Sequence, residues 1–230
     1  MNKIFIGISS CLLGHRVRYD GRDKKHTQII DIFSRFSELY GFCPEVEIGL
    51  GIPRTPIQLV KKNDQVRCIE MNHPKRDVTQ ELSEIAYSQK ANFQKLSGYI
   101  FKNNSPSCGL SKVKMFVDDQ VRLEGTGIFS QEITKIYPLL PVEEEHRLEN
   151  LTIRKKFIES VFMFYRWKQL TSDNFSEKRL FQFHQRYKKY VTFHPQFSEL
   201  EKKLVEIDSN NFESFSLSYF CLLMKMFKAR

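Results

Sequence analysis

The 230-residue chain lacks any apolar run of the ~20 residues that a membrane helix needs, and its longest candidates are broken by Lys or Arg. No leader is expected either. The start imitates a lipoprotein cleavage site at Ile8-Ser9-Ser10-Cys11, but the apolar stretch Ile4–Ile8 falls short of the about 7–15 residues of a signal core. Compact cysteine spacing is missing too. Five cysteines, an odd number, stand dispersed at 11, 43, 68, 108 and 221, which fits neither a zinc ribbon nor a bacterial ferredoxin. A secreted disulfide framework is equally unsuited, and a reduced cytoplasm is the expected home. All ten glycines stand at or before residue 127, and only Pro195 follows Pro141.

Against these absences stand ordinary globular fractions, 41% hydrophobic and 27% charged, with 36 Lys+Arg against 27 Asp+Glu. The resulting +9 raises the expectation of a polyanionic partner such as nucleic acid. The loss of turn-forming residues sets a boundary near Pro138–Glu145, giving an α/β domain over 1–140 and a helical, basic domain over 141–230. In the first part, β-rich runs at Ile4–Ile8, Val66–Met71 and Tyr99–Lys102 alternate with helical patterns at Thr27–Tyr40 and Asp77–Leu96. That alternation predicts a Rossmann-like, largely parallel sheet whose strand C-termini form the binding edge. In the second part, Leu180, Phe183, His184, Tyr187 and Val191 follow helical spacing, and Phe157, Val161, Phe164 and Lys168 partly do so.

Cys11 closely follows the first strand, and Cys108 follows Tyr99–Lys102, so both belong at one sheet edge; Cys43, in Gly41-Phe42-Cys43-Pro44-Glu45, can approach it from a turn. A free cysteine is usually a small buried hydrophobe, the reading that suits Cys68 and Cys221. Gly, Pro or Ser flanks each of the other three, and three thiolates on three loops make a metal-site candidate. Neither His73 nor His146 has a matching ligand spacing. The basic stretch from His15 to His26, which includes Arg16, Arg18, Arg22, Lys24 and Lys25, lies close enough to Cys11 to meet an anionic substrate.

Four ordered blocks then carry a resemblance: Ser9-Ser10-Cys11-Leu12-Leu13-Gly14 with Arg18-Tyr19-Asp20-Gly21; Cys43-Pro44-Glu45-Val46 with Gly51-Ile52-Pro53-Arg54; Ser105-Pro106-Ser107-Cys108-Gly109; and Gly125-Thr126-Gly127. Together they resemble the thiouracil desulfidase family. The resemblance implies a [4Fe-4S] cluster held by Cys11, Cys43 and Cys108, with one iron lacking a protein ligand, and an acid–base pair of Glu45 and Ser105, with Ser107 the competing serine. It further implies hydrolysis of a thiocarbonyl. The open iron acts as a Lewis acid toward sulfur, Glu45 deprotonates a water, and the serine relays or stabilises the proton.

Between Arg154 and Lys189 stand ten basic and three acidic residues. Lys178, Gln182, Arg186 and Lys189 lie opposite the apolar stripe of their helix, a basic face suited to phosphate. The expected nucleic-acid contacts are Lys178, Arg186 and Lys189 of this face together with Arg154, Lys155, Lys156 and Lys188. Residues 142–230 are similar to the helical domain fused to desulfidases of 4-thiouridine in tRNA, which implies tRNA as substrate and partner. Two alternatives stay open: a desulfidase of free thiouracil or thionucleosides, and a non-catalytic iron–sulfur redox sensor that binds nucleic acid.

Overall fold

A computed structural model describes residues 3–71, 76–118, 120–172, 175–205 and 212–229; His73 lies outside them. Two compact units divide the chain, Met1–Arg154 and Lys155–Arg230. The α/β unit therefore runs past the boundary expected at 140/141. The reason is a short strand after Pro141 that completes a sheet.

The first sheet is entirely parallel, in the order β2 (Ser37–Phe42), β1 (Ile4–Ser9), β5 (Leu96–Phe101), β8 (Val142–Glu144). Its central strands are near-continuous apolar runs because both faces are covered. All of β5 is buried, and so is β1 except for half-buried Phe5. Around β5 an aromatic cluster of Phe42, Phe93, Tyr99, Phe101 and Phe129 fills the core. The helix expected over Thr27–Tyr40 is shorter: α1 is Thr27–Phe33, and the following residues form β2. Pairing with β1 overrides their helical pattern. Likewise Asp77–Leu96 resolves into α3 (Thr79–Ser88), α4 (Lys90–Phe93) and the start of β5.

Val66–Met71 belongs to a second, mixed sheet, ordered β4 (Gln65–Glu70), β3 (Ile57–Lys62), β6 (Val113–Val117), β7 (Gln120–Gly125). Its outer pairs are antiparallel hairpins and its central pair is parallel. Leu59, Cys68, Val113 and Met115 pack one face of it against Val78, Leu82 and Ile128. Two further helices, α2 (Pro44–Glu47) and α5 (Ile128–Ile136), complete this unit, and α6 (Leu151–Ser172) begins in it.

The second unit continues α6 and adds α7 (Glu177–Val191), α8 (Phe197–Val205) and α9 (Phe212–Ala229). The stripe expected on α7 is buried at all five positions. Trp167 stacks on Phe220, ring centroids 4.2 Å apart, with Phe183 and Tyr219 beside it. Among the described residues no helix is long and apolar enough to cross a membrane.

Candidate functional site

In the parallel sheet every strand runs the same way, so every strand ends at one edge, where open α/β sheets place their ligands. Cys11 stands two residues beyond β1, Cys43 directly follows β2, Cys108 closes the loop after β5, and Glu145 directly follows β8. All three cysteines line one cavity of about 660 Å³ together with Arg18, Glu45, Arg54, Lys102, Ser105 and Ser107. Cys11 and Cys108 are buried and Cys43 is half-buried, like Cys221, whereas Cys68 is buried in β4 away from the lining. Facing a shared cavity is therefore what sets the three apart.

Glu45 sits on α2, whose first residue Pro44 brings a preset helical φ. Arg54 donates from both Nε and Nη2 to Glu45 Oε2, at 3.0 and 2.7 Å. The other oxygen, Oε1, accepts the Ser107 hydroxyl at 2.7 Å. Ser107 Oγ in turn lies 3.0 Å from Ser105 Oγ, which accepts the backbone N–H of Cys108 at 3.1 Å. The three side chains form one line, Ser105–Ser107–Glu45. Ser107 touches the carboxylate and Ser105 stands one bond further out.

Neighbouring carboxylates hold the Cys108 loop. Glu145 accepts the Asn103 N–H at 2.7 Å and pairs with the Lys102 ammonium, and Glu144 accepts the Leu110 N–H at 2.8 Å. Both are buried, where an unpaired carboxylate would be costly. Gly127 completes the support, since a Cβ there would meet the Ser107 carbonyl carbon and oxygen at 2.5 Å. Sequence motifs and spacing alone assign no role to Glu144, Glu145, Lys102 or Arg54. The available signal was the run Glu143-Glu144-Glu145 directly after the apolar Leu139-Leu140-Pro141-Val142.

Burial pushes the Cys11 thiol up to about 11, with Cys43 adding and Lys102 and Arg18 opposing. Burial likewise raises Cys43, and raises Cys108 well above the ordinary thiol range, with Cys43 again contributing. Uncharged thiols suit so dry a setting, and only a metal would make three thiolates stable there. Among the described residues, no group of three or more His, Cys, Asp or Glu converges as a single-ion site. The donor set is nonetheless three soft sulfurs from three loops, the type that iron–sulfur clusters take. A second sign of fit is the Tyr99 hydroxyl, buried without a hydrogen-bond partner among the described residues and within electrostatic reach of all three thiols.

The remaining expected residues divide. Of the basic stretch near Cys11, only Arg18 lines the cavity; His26 accepts the Ile29 N–H at the start of α1. His146 is half-exposed beside Glu144, at 3.7 Å. Arg154 falls in the first unit, donating to the Leu148 carbonyl at 3.2 Å. In the second unit Lys155, Lys178, Arg186 and Lys189 are exposed and Lys156 is half-buried, while Lys188 pairs with Glu201 at 3.6 Å.

Residues 6–145 match the model of a family described as 2-thiouracil desulfurase. Among solved structures the chain is similar to a [4Fe-4S]-dependent thiouracil desulfidase, TudS, at 27% identity and a TM-score of 0.53, over 66% of this chain and 97% of that one. A comparison with curated proteins finds no match.

Proposed function

Because the chain belongs to the 2-thiouracil desulfurase family, and is thus an enzyme, we propose that it hydrolyses the thiocarbonyl of a nucleobase with a [4Fe-4S] cluster, its substrate being 4-thiouridine in tRNA. The observation that carries the reading is the convergence of Cys11, Cys43 and Cys108 on one cavity with the Ser105–Ser107–Glu45 line. The three cysteines would hold the cluster. When bound, it supplies a soft Lewis acid for a thiocarbonyl sulfur, which leaves the adjoining carbon more electrophilic.

Glu45 is the base. Arg54 occupies its Oε2 and fixes the carboxylate, so Oε1 is the atom that accepts a proton from the attacking water. Ser107 already bonds Oε1, and Ser105 stands behind it, so the two hydroxyls can pass that proton onward to the departing sulfur. The sum is C=S plus water giving C=O plus hydrogen sulfide, with no net electron transfer. Lys102 and Arg18 bring positive charge close to Cys11, which suits a negatively charged departing group.

The tRNA part of the reading is supported by α7. Lys178, Gln182, Gln185, Arg186 and Lys189 share helical spacing and are all exposed, so this face offers cations and amides to a phosphate backbone. Anaerobic cluster reconstitution, incubation with bulk tRNA and nucleoside mass spectrometry test the whole reading. Conversion of 4-thiouridine to uridine is expected. Turnover of free 4-thiouracil alone would replace the substrate, and a full cluster with neither activity would overturn the desulfidase.

A further inference from the structure

The second sheet has a face that the hydrolysis does not use. Side chains alternate along each strand, and residues paired across strands share a side. Ile57, Leu59, Cys68, Val113, Met115 and Val117 take the buried side. The pairs Gln58↔Ile69, Val60↔Arg67, Val60↔Phe116, Phe116↔Val121 and Lys114↔Leu123 therefore take the other. That side is open: Val121 and Leu123 are 54% and 60% exposed, Lys114 is exposed and Phe116 half-buried.

Its composition is one-sided. Lys62 and Lys114 stand on it; Arg67, at its β4 edge, is paired with Asp77 at 3.5 Å, and among the described residues of the four strands themselves no carboxylate stands there. Glu70 is buried on the core side, and Glu124 reaches Arg122, whose cross-strand partner is core residue Met115. The face also opens directly into the cavity, because Gln58, Lys114 and Phe116 belong to the lining of both. A free thiobase has no use for such a surface. A base presented within a polynucleotide brings its neighbours to this rim, where an aromatic ring, apolar side chains and the Lys62 and Lys114 ammonium groups match stacked bases and phosphates.

We propose that the open face of the second sheet docks the nucleotides flanking the target base, Phe116 stacking against a base and Lys114 meeting a phosphate. The inference rests on the polynucleotide reading above and adds its second contact surface, in the catalytic unit itself. The test uses the full chain with its cluster restored and the double variant Val121→Glu/Leu123→Glu. Both positions are exposed on an edge strand and neither lines the cavity. The variant should lose about tenfold or more in kcat/KM on tRNA, through KM, while turnover of free 4-thiouracil stays unchanged. Lys114→Gln should lower the slope of log affinity for tRNA against log salt by about one.

Undiminished kcat/KM of the double variant on tRNA, with the unchanged protein active on it, overturns the docking face and leaves the tRNA reading intact. An unchanged protein that converts 4-thiouracil but not tRNA overturns both. A dimer that the double variant dissolves, with tRNA affinity unaltered, reassigns the face to a second copy of this chain.

Discussion

The α/β unit and the helical unit place their polar chemistry by opposite means. In residues 1–154, Cys11, Cys43 and Cys108 come from three strand ends, so the cavity exists only once the parallel sheet has formed. In residues 155–230, the basic side chains of α7 come from one continuous helix, and their shared face follows from 3.6-residue periodicity alone. A long-range site is precise but depends on every supporting contact, whereas a helix face tolerates the loss of single members. Substitutions in the first unit should therefore abolish chemistry, and those in the second should grade binding.

The largest expected effect is that of Cys43→Ser, which should leave the folded protein without bound iron and its desulfidase activity at background. Iron content and circular dichroism check it; a variant that keeps a full, active cluster breaks the assignment. Next, Glu45→Gln should keep the cluster and reduce kcat by about 10²–10⁴. On the same assay Ser107→Ala should cost more than Ser105→Ala, since only Ser107 touches the carboxylate. The reverse order would make Ser105 the group that meets substrate.

A smaller and more selective change is expected from Lys178→Glu with Lys189→Glu. Affinity for tRNA should fall and the salt slope should drop by about two, with free 4-thiouracil turnover unaffected. Equal affinity would place the tRNA contact elsewhere.

The smallest effect concerns His184, buried against the Tyr219 hydroxyl at 3.2 Å, with Glu201 and Lys188 alongside. Burial lowers its pKa, and Glu201 only partly opposes this. A lowered folded value means that the unfolded chain binds the extra proton first. Stability is thus fully present above the ordinary histidine range and is lost as pH falls through it toward the folded value. His184→Gln should flatten this acid-side decline in melting temperature by a few degrees at most, and an equally steep decline would assign it to other groups.

Much of the helical unit was legible because its signal is local. The stripe from Leu180 to Val191 needs only neighbours one or two turns away, and the structure buries each member. The first strand and the helix–strand alternation were legible for the same reason. Ser37–Phe42 was not, since its pattern passes for the end of a helix until β1 pairs with it along six residues. Missing that strand hid why Cys43 reaches the edge. The second sheet stayed hidden too, its strands short and half-exposed, as did the role of Glu144 and Glu145, which looked like a linker between domains.

By itself, the sequence marked out the candidates for chemistry: three thiols in turn-rich settings, a carboxylate beside one of them, two serines beside another, and a basic helix. Only the tertiary structure decided which of these meet. It set Ser107 rather than Ser105 against Glu45, gave Arg54 the second carboxylate oxygen, and fastened the Cys108 loop to β8. The physical reason is that residue type and periodicity are fixed within a few positions of chain, whereas strand register and the convergence of strand ends arise from pairings tens of residues apart, stable only when the whole sheet is assembled.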